Sequence, residues 1–329
     1  SMERKISWGI IGTGGIAKKF AEALQTLPEA DLIAVGSRAA DTAKKFAEAF
    51  NIPHRHSSYT ELANDPDIDV VYIATPHPFH MENTILCLKT GKAVLCEKPF
   101  ALNAGQVQQM ISTARGKKLF LMEAMWTRFL PIIVKVREWL EQELIGPVRF
   151  LQADFGFRGQ WNPKGRLFNP ELAGGALLDV GVYTIALASM VFKESPKRIT
   201  ATTQLGRTGV DERSEMTLAY NNGQSAVLSC AIRTRTPQEA VITGTKGTIR
   251  IHSPFWCATT ATISIEGKED ETIKIPFECN GFEYEVTEVM RCLQAGKPES
   301  DIMPLDESLS IVKTMDEIRA QWGLKYPME

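Results

Sequence analysis

The stretch Ile6-Ser-Trp-Gly-Ile-Ile-Gly-Thr-Gly-Gly-Ile-Ala17 decides the fold of the N-terminal part of the chain. The apolar run Ile6–Ile11 predicts a buried strand, and Ile16–Leu27 has the spacing of a helix. Between them the chain carries the pattern G-x-G-x-x-A, whose residues up to the helix are Gly12, Thr13, Gly14, Gly15 and Ile16. Glycines here permit a tight turn and a close backbone approach to a pyrophosphate, at a helix N-terminus that attracts its charge. The pattern therefore predicts a dinucleotide site, with an ordinary glycine turn as the alternative.

Further short apolar runs follow, each separated from the next by a segment of helical character. The predicted strands are Leu32–Val35, Val70–Ala74, Ala93–Cys96 and Leu119–Met122, and the predicted helices include Asp41–Phe50 and His80–Thr90. Continuous apolar runs of this length suit strands that are buried on both faces of a parallel sheet. We therefore predict an α/β Rossmann domain with a doubly wound parallel sheet over residues 1–124.

The pattern changes after residue 124, where strand signals and tight turns dominate. Asn221-Asn222-Gly223 and Gly244-Thr-Lys-Gly247 each lie between two strand-like runs and predict hairpins. The strand Ala226–Ile232 is apolar at nearly every position, which suggests that both faces of its sheet are covered. We predict an α+β domain over residues 125–329, with a large open, mostly antiparallel sheet that binds substrate and joins two subunits into a homodimer.

Composition narrows the classes of partner. The 329 residues are 44% hydrophobic and carry a formal net charge of -2, which argues against nucleic acid or an anionic membrane surface. No continuous apolar run approaches the roughly 20 residues that cross a bilayer, so no membrane span is expected. The cysteines are scattered without close pairs at Cys87, Cys96, Cys230, Cys257, Cys279 and Cys292. This pattern indicates reduced thiols and a cytoplasmic protein.

The end of the second predicted strand indicates which dinucleotide is bound. NAD-selective sites place a carboxylate there to hold the ribose 2′-hydroxyl, whereas this chain has Ser37 followed by Arg38. A guanidinium can donate two charge-assisted hydrogen bonds to a 2′-phosphate. NADP is therefore predicted over NAD, and an arginine beside a tolerated NAD is the alternative.

Two further motifs carry a family resemblance. One strand ends in Glu97-Lys-Pro99, and an earlier one ends in Thr75-Pro-His-Pro-Phe-His80. With the glycine loop, these resemble the glucose–fructose oxidoreductase and inositol dehydrogenase (Gfo/Idh/MocA) family across the whole chain, although most members carry Asn where this chain has His77. The segments Trp126-Thr-Arg-Phe129 and Gly174-Gly-Ala-Leu-Leu-Asp179 are similar to one branch, the dimeric dihydrodiol dehydrogenases and NADP-dependent D-xylose dehydrogenases, which shares His77.

The resemblance implies site residues as well as NADP, a homodimer and a last helix that returns to the first domain. The cofactor contacts it implies are Thr75, Pro76, His77, His80, Glu97 and Lys98. Lys98, Asp179 and Tyr183 match the family's catalytic positions, and residues four apart on a helix share one face. The side chains of tyrosine and lysine have pKa values of about 10, so they are protonated at neutral pH and are inefficient bases unless the site lowers those values. A cationic lysine beside a tyrosine favours tyrosinate.

Each of these residues also has a purely structural interpretation. Lys98 could form a surface salt bridge, and Tyr183 could be a core residue with a satisfied hydroxyl. Candidate walls of a substrate pocket, which could equally be packing residues, are Trp126, Arg128, Phe155 and Trp161. Cys96 ends a buried strand and is expected to pack. No carboxylate or thiol is at metal-ligand spacing from His77 and His80 or from His54 and His56, so no metal is expected.

The predicted activity is hydride transfer between a sugar or cyclic diol hydroxyl and the nicotinamide. Oxidation of an aldose at C1 to a lactone is favoured because the loop Arg158–Pro170 offers Arg158, Lys164 and Arg166 to a polyhydroxylated ligand. Oxidation of a trans-dihydrodiol comes next. The alternative from another class is a non-catalytic NADP-binding sensor or scaffold, which would need the glycine loop but not Lys98, Asp179 and Tyr183.

Overall fold

The computed structural model describes residues 4–329, which form two compact units. The first unit comprises residues 4–126 and Glu278–Ser308, and the second comprises Thr127–Phe277 and Leu309–Glu329.

The first unit contains a six-stranded sheet in the order β3-β2-β1-β4-β5-β6. All of its strand pairs are parallel, which confirms the predicted Rossmann architecture. The strands are β1 Ile6–Ile11, β2 Ala30–Gly36, β3 His54–His56, β4 Val70–Ile73, β5 Ala93–Glu97 and β6 Leu121–Ala124. The helices of this unit between the strands are α1 Gly15–Gln25, α2 Ala40–Phe50, α3 Tyr59–Ala63, α4 His80–Lys89 and α5 Ala104–Lys117.

The core of the first unit explains why these segments fold as they do. Every residue of β4 is fully buried, as a central parallel strand covered on both faces requires. Helix α1 packs an apolar face on the sheet, and its Phe20 ring stacks on Tyr72 of β4 with centroids 3.7 Å apart. Trp8 of β1 completes this aromatic cluster, with its ring 5.6 Å from Phe20.

The second unit contains an eight-stranded sheet in the order β14-β13-β12-β11-β7-β10-β9-β8. Its pairs are antiparallel except β7 with β10, so the prediction of a mostly antiparallel sheet is confirmed. The strands are β7 Val148–Gly156, β8 Arg198–Leu205, β9 Asp211–Ala219, β10 Ser225–Ala231, β11 Ala240–Gly244, β12 Gly247–Ile251, β13 Thr260–Ile265 and β14 Glu271–Lys274. The remaining helices of the chain are α6 Pro131–Glu141, α7 Val182–Phe192, α8 Glu283–Gln294 and α9 Leu305–Trp322.

The segment Glu278–Ser308, which contains α8, groups with the first unit. Asn280, just before α8, donates from Nδ2 to the Lys19 backbone oxygen at 2.8 Å. Farther along, the backbone N–H of Leu121 donates to the Pro298 oxygen at 3.4 Å. The first turn of the last helix, α9, also groups with the first unit, whereas the rest of α9 groups with the second.

The large sheet has one buried face and one mixed face. Along β10, Ala226, Leu228 and Cys230 are buried. Within the predicted strand Ala226–Ile232 the residues on the other face are Val227, Ser229 and Ala231, of which Val227 is 42% exposed and Ala231 is buried. This second face of the strand is therefore apolar except at Ser229, and Val227 is its exposed apolar residue.

One stretch passes a length and hydropathy test for crossing a membrane. It spans Pro170–Phe192 and includes α7, and 83% of its apolar window is buried inside the protein. Burial of this extent is what a core helix shows, and α7 packs against β7 and β10. The expectation that no segment has the length and hydropathy of a span overlooked this stretch, since Thr184 and the glycines before it interrupt the apolar run.

Candidate active site

The glycine loop forms an open cradle at the start of α1. Gly12 has φ +109°, and a Cβ there would lie 2.8 Å from the Ala74 backbone oxygen. The position therefore requires glycine. Around Gly14 and Gly15 an added Cβ would meet nothing within 4 Å, and no side chain caps the helix. The first N–H groups of α1 thus face open space, where an anionic group is stabilised.

The end of β2 supplies a buried hydroxyl and an exposed guanidinium. The Ser37 N–H donates to the His56 oxygen at 3.1 Å, and its hydroxyl bonds to Thr42, a partner that the sequence analysis did not identify. Arg38 is exposed and lies near Tyr59. Burial raises the pKa of Tyr59, and the Arg38 charge opposes that shift. Arg38 is therefore the group at this position that is available to a 2′-phosphate.

His80 connects two loops at the carboxyl ends of β4 and β5. Its ring is fully buried, with Nδ1 2.7 Å from the Pro99 oxygen and Nε2 2.9 Å from the Thr75 oxygen. Burial lowers its pKa. Because both ring nitrogens face backbone oxygens, His80 positions these loops and offers no nitrogen to a cofactor, contrary to the predicted contact. His77, which begins the short turn before α4, is only partly buried and lies edge-on to His80 at 5.7 Å.

Glu97 and Lys98 follow the buried end of β5. Glu97 accepts a hydrogen bond from the Tyr72 hydroxyl at 2.5 Å, and the Lys98–Pro99 peptide bond is cis. Burial raises the pKa of Glu97, while the Lys98 charge and the Tyr72 hydrogen bond oppose the shift. Lys98 itself is partly exposed. The lysine predicted to be catalytic therefore lies beside a buried carboxyl group, within the unit that carries the glycine loop.

A second buried carboxyl group, Glu285 of α8, interacts electrostatically with Glu97. Its side chain is fully buried, and among residues 4–329 neither of its oxygens has a hydrogen-bond partner. Burial, and then the charge of Glu97, raises the pKa of Glu285 well above its usual range. The sequence analysis missed Glu285, because nothing in the spacing connects residue 285 with residue 97.

In the second unit, Asp179 lies in a π-helical turn, Leu177–Gly181, directly before α7. A π turn holds more residues than an α turn, so the predicted i, i+4 relation between Asp179 and Tyr183 does not follow from α-helical geometry. Asp179 is nearly buried and accepts a hydrogen bond from Arg166 Nη1 at 2.6 Å. Arg166, one of the loop cations expected to bind substrate, therefore already pairs with a predicted catalytic residue.

Asp211 and Gly175 fix the start of this π turn. Asp211 is fully buried and accepts the Leu177 N–H at 2.7 Å, and burial raises its pKa to about 7. Gly175 has φ +123°, and a Cβ there would lie 2.1 Å from Asp211 Oδ1. A Cβ on Gly174 would lie 2.6 Å from the Leu167 oxygen. The pair Gly174-Gly175 therefore allows the chain to pass close to the Leu167 backbone and to Asp211.

Tyr183 belongs to an aromatic cluster. Its ring centroid lies 5.3 Å from Phe155 and 6.1 Å from Trp256, and Phe155 stacks on Trp256 at 4.7 Å with an angle of 10°. The Trp256 indole N–H donates to Gln238 at 3.1 Å. Trp256 was not among the predicted pocket residues.

Two of the candidate pocket walls are packing residues in the structure. Trp126 is buried and stacks on Phe282 with centroids 4.3 Å apart, both in the first unit. Arg128 is buried and donates to the Ala186 oxygen of α7 at 3.1 Å. Trp161 is 37% exposed, so its indole remains accessible, and the Arg233 guanidinium lies over the ring.

The remaining predictions concern a cysteine and the histidines. Cys96 is fully buried, which confirms its packing role, and burial raises the pKa of its thiol well above the usual range. The expectation that no carboxylate joins His54 and His56 is wrong, because Asp65 Oδ2 lies 2.7 Å from one ring and 2.9 Å from the other. The intervening turn of α3 brings Asp65 back to β3, and residue spacing alone did not reveal this.

A dinucleotide cradle on a Rossmann unit, together with an open-sheet unit that holds a buried aspartate paired with an exposed arginine and an aromatic cluster, defines a two-unit oxidoreductase fold. Residues 6–125 match the family described as "Oxidoreductase family, NAD-binding Rossmann fold" (GFO_IDH_MocA), and residues 133–250 match the "GFO/IDH/MocA C-terminal domain". The chain belongs to the Gfo/Idh/MocA family of oxidoreductases, as its motifs predicted.

Relatives and solved structures extend this likeness over the whole chain. The sequence is 44% identical to a trans-1,2-dihydrobenzene-1,2-diol dehydrogenase of Xenopus tropicalis, over 97% of this chain and 99% of that protein. An aldose–aldose oxidoreductase of Caulobacter crescentus, crystallised with glycerol, has the same fold with a TM-score of 0.89, 24% identity and coverage of 98% and 99%. A 3-ketoreductase of Actinomadura kijaniata, in complex with NADP and TDP-benzene, gives a TM-score of 0.86, 25% identity and coverage of 96% and 98%.

Proposed function

We propose that this protein is an NADP-dependent dehydrogenase that oxidises a ring hydroxyl next to a second hydroxyl, in a sugar or a cyclic diol. The observation that carries the proposal is Lys98 beside the buried Glu97, in the same unit as an uncapped glycine-loop helix. A non-catalytic NADP-binding sensor would need the glycine loop alone. The names of the relatives, trans-dihydrodiol dehydrogenase and aldose–aldose oxidoreductase, support the same substrate class.

The glycine loop fits a dinucleotide, since its helix N-terminus faces open space and Gly12 leaves no room for a side chain. Gly14, Gly15 and the N–H groups that follow would hold the pyrophosphate, and Arg38 would hold the 2′-phosphate. NADP, when bound, supplies the acceptor for the hydride that leaves the alcohol carbon. The task of the protein's own residues is then to remove the hydroxyl proton.

We propose Lys98 of the first unit and Tyr183 of the second as the residues that handle that proton, with Asp179 as the positioning residue of the second unit. A lysine ammonium near the substrate hydroxyl stabilises the developing alkoxide and favours tyrosinate, which accepts the hydroxyl proton and becomes neutral tyrosine. Arg166 keeps Asp179 paired at 2.6 Å, which holds the aspartate in one orientation. In this scheme Glu97 and His80 act as positioning residues for the Lys98 loop.

The substrate follows from the surface around Tyr183. Trp256 is partly exposed and stacks on the buried Phe155, so its ring offers an aromatic surface that suits a flat dihydrodiol or the apolar face of a pyranose. The preference for an aldose rested on three loop cations, and Arg166 is already paired with Asp179. Arg158 and Lys164 remain exposed and keep oxidation of an aldopyranose at C1 as a candidate beside the trans-dihydrodiol.

A steady-state screen tests the proposed function. Reduction of NADP is followed at 340 nm with trans-dihydrodiols, pentoses, hexoses and inositols. We expect turnover of at least one class, and Gly12→Val, whose Cβ would lie 2.8 Å from the Ala74 oxygen, is a control for activity that does not depend on the glycine loop. Binding of NADP without turnover of any of these compounds would favour the sensor alternative.

Cofactor preference gives a separate prediction for Arg38. One arginine–phosphate contact contributes about 1.5–3 kcal/mol, so the wild type is expected to bind NADP at least about tenfold more tightly than NAD. In Arg38→Ala the affinity for NADP should fall by about the same factor, while the affinity for NAD stays nearly constant. Calorimetric titration with both dinucleotides measures the four constants. Arg198→Ala, an exposed arginine of the second unit, is the control, and equal wild-type affinities would contradict the proposal.

We also propose a cytoplasmic homodimer that associates through the open face of the large sheet. The support is Val227, which lies on the face of β10 opposite the buried residues and is 42% exposed. Light scattering at micromolar concentration tests the assembly, and a monomeric mass would rule it out. Substituting Val227→Asp should shift the mass towards the monomer if this face is the contact.

A further inference from the structure

Two histidines occupy the edge strand of the Rossmann sheet. β3 consists of His54, Arg55 and His56, and it pairs only with β2 among the strands of this sheet as described over residues 4–329. Side chains two apart on a strand point to the same side, so the two imidazoles share a face that Arg55 does not. Both rings are partly exposed, with side-chain exposures of 35% for His54 and 21% for His56.

Asp65 lies against both rings. Its Oδ2 is 2.7 Å from His54 Nδ1 and 2.9 Å from His56 Nε2, and the carboxylate is 5% exposed. Its other oxygen accepts the Asp67 N–H at 3.0 Å. One nitrogen from each ring and one Asp65 oxygen all lie within 4.8 Å of one another. A carboxylate anchored in the protein and two imidazoles that reach solvent thus converge on one point.

We propose that His54, His56 and Asp65 form a binding site for a divalent zinc ion. In a tetrahedral zinc site with bonds of about 2.0–2.2 Å, neighbouring ligand atoms lie about 3.4 Å apart. The Asp65 oxygen and each imidazole nitrogen need to separate by only about 0.5–0.7 Å to reach that spacing. The side chains that reach solvent, His54 and His56, leave room for water as the fourth ligand.

The donor set selects this class of ion. Two imidazoles with one carboxylate suit zinc and its transition-metal neighbours, whereas calcium and magnesium prefer oxygen ligands alone. Metal binding places each ring's remaining proton on its other nitrogen. For His54 that nitrogen, Nε2, faces Asp67 Oδ2 at 3.9 Å, where a carboxylate can orient a metal-bound imidazole.

The site is separate from the glycine loop but adjoins the end of β2. The backbone oxygen of His56 accepts the Ser37 N–H, so a bound ion would fix the strand that supports Ser37 and Arg38. Because the ion binds the folded protein, its presence should also raise the melting temperature. Zinc at this site therefore stabilises the edge of the sheet and leaves the proposed reaction unchanged.

The test is calorimetric titration of the full chain, without a polyhistidine tag, with zinc chloride alone. We expect one zinc per chain and a rise in Tm. His54→Gln, His56→Gln and Asp65→Asn should each weaken binding at least tenfold, since loss of even an outer partner costs about 10–100-fold in affinity. His252→Gln, in the second unit, is the matched control and should bind zinc like the wild type.

Three variants keep the test decisive if one of them fails to fold, which circular dichroism would report. The absence of a zinc-dependent heat in the wild type would overturn the proposal. So would zinc binding of unchanged affinity in both imidazole variants, because the ion would then be held elsewhere, for example by cysteines. Substitution with cobalt(II) adds a spectroscopic measurement: visible bands of a four-coordinate ion should appear in the wild type and disappear in His56→Gln.

Discussion

Lys98→Met and Tyr183→Phe are each expected to lower kcat by about 10²-fold or more, the usual scale for losing general acid–base assistance. Methionine keeps most of the volume of lysine but removes its charge and its donors. Phenylalanine keeps the tyrosine ring within the Phe155 and Trp256 cluster and removes only the hydroxyl. A change in kcat therefore reports on the chemistry rather than on packing. The measurement is steady-state kinetics with NADP and the best substrate of the screen.

Matched controls separate this effect from a general loss of structure. Lys89→Met removes an exposed lysine of α4, and Tyr220→Phe removes the hydroxyl of a buried tyrosine that stacks on Phe192. Both should keep nearly full activity. NADP affinity should survive in Tyr183→Phe, because the glycine loop lies in the other unit. Wild-type kcat in Tyr183→Phe would show that another group carries the proton.

The parts of the fold that were predictable are those with a strong local signal. β1, β4 and β5 are continuous apolar runs, and the glycine loop between Ile11 and Ile16 has a pattern that few structures other than a dinucleotide site require. β3 was missed because His54-Arg55-His56 has no apolar residue, and its place in the sheet depends on pairing with β2. β13 and β14 were missed for a similar reason: their half-exposed threonines and charges resemble a loop.

The candidate site was predictable only where one motif carries the chemistry. Lys98 and Tyr183 were found through motifs, whereas the partners that position them are distant in sequence. Arg166 reaches Asp179 across a loop, and His80 binds the Pro99 oxygen on the next strand's loop. Such contacts depend on how the chain folds back, and spacing in the sequence does not report them.

Side-chain type also misled where burial decided the role. Arg128 and His80 are polar and lie near motif residues, which suggested contacts with substrate or cofactor. In the structure both are buried and bonded to backbone oxygens, as buried polar groups must be. Glu285 departs from that rule, since its carboxyl group is buried without a hydrogen-bond partner among the described residues. A neutral, protonated side chain is the form that such a site tolerates best.

Glu285→Gln is expected to change how the stability of the protein depends on pH. The pKa of Glu285 is raised by burial and by Glu97, so the folded protein keeps a proton that the unfolded chain releases above about pH 4.3. Above about pH 4.3 the folded state then binds more protons than the unfolded state. The free energy of unfolding of the wild type therefore falls as the pH rises. One such proton corresponds to a slope of up to about 1.4 kcal/mol per pH unit.

Glutamine carries no titrating proton, so this slope is absent from the variant. Between pH 5.5 and pH 7.5 the free energy of unfolding of Glu285→Gln should therefore rise relative to the wild type by up to about 2.7 kcal/mol. Urea denaturation at several pH values measures the difference, and Glu278→Gln, an exposed carboxylate before α8, is the control that should run parallel to the wild type. Parallel curves for Glu285→Gln as well would mean that Glu285 is ionised in the folded protein. In that case a cation or water must reach the Glu285 oxygens beside Glu97 and Lys98. The Glu97–Glu285 pair would then be charged in the proposed active site.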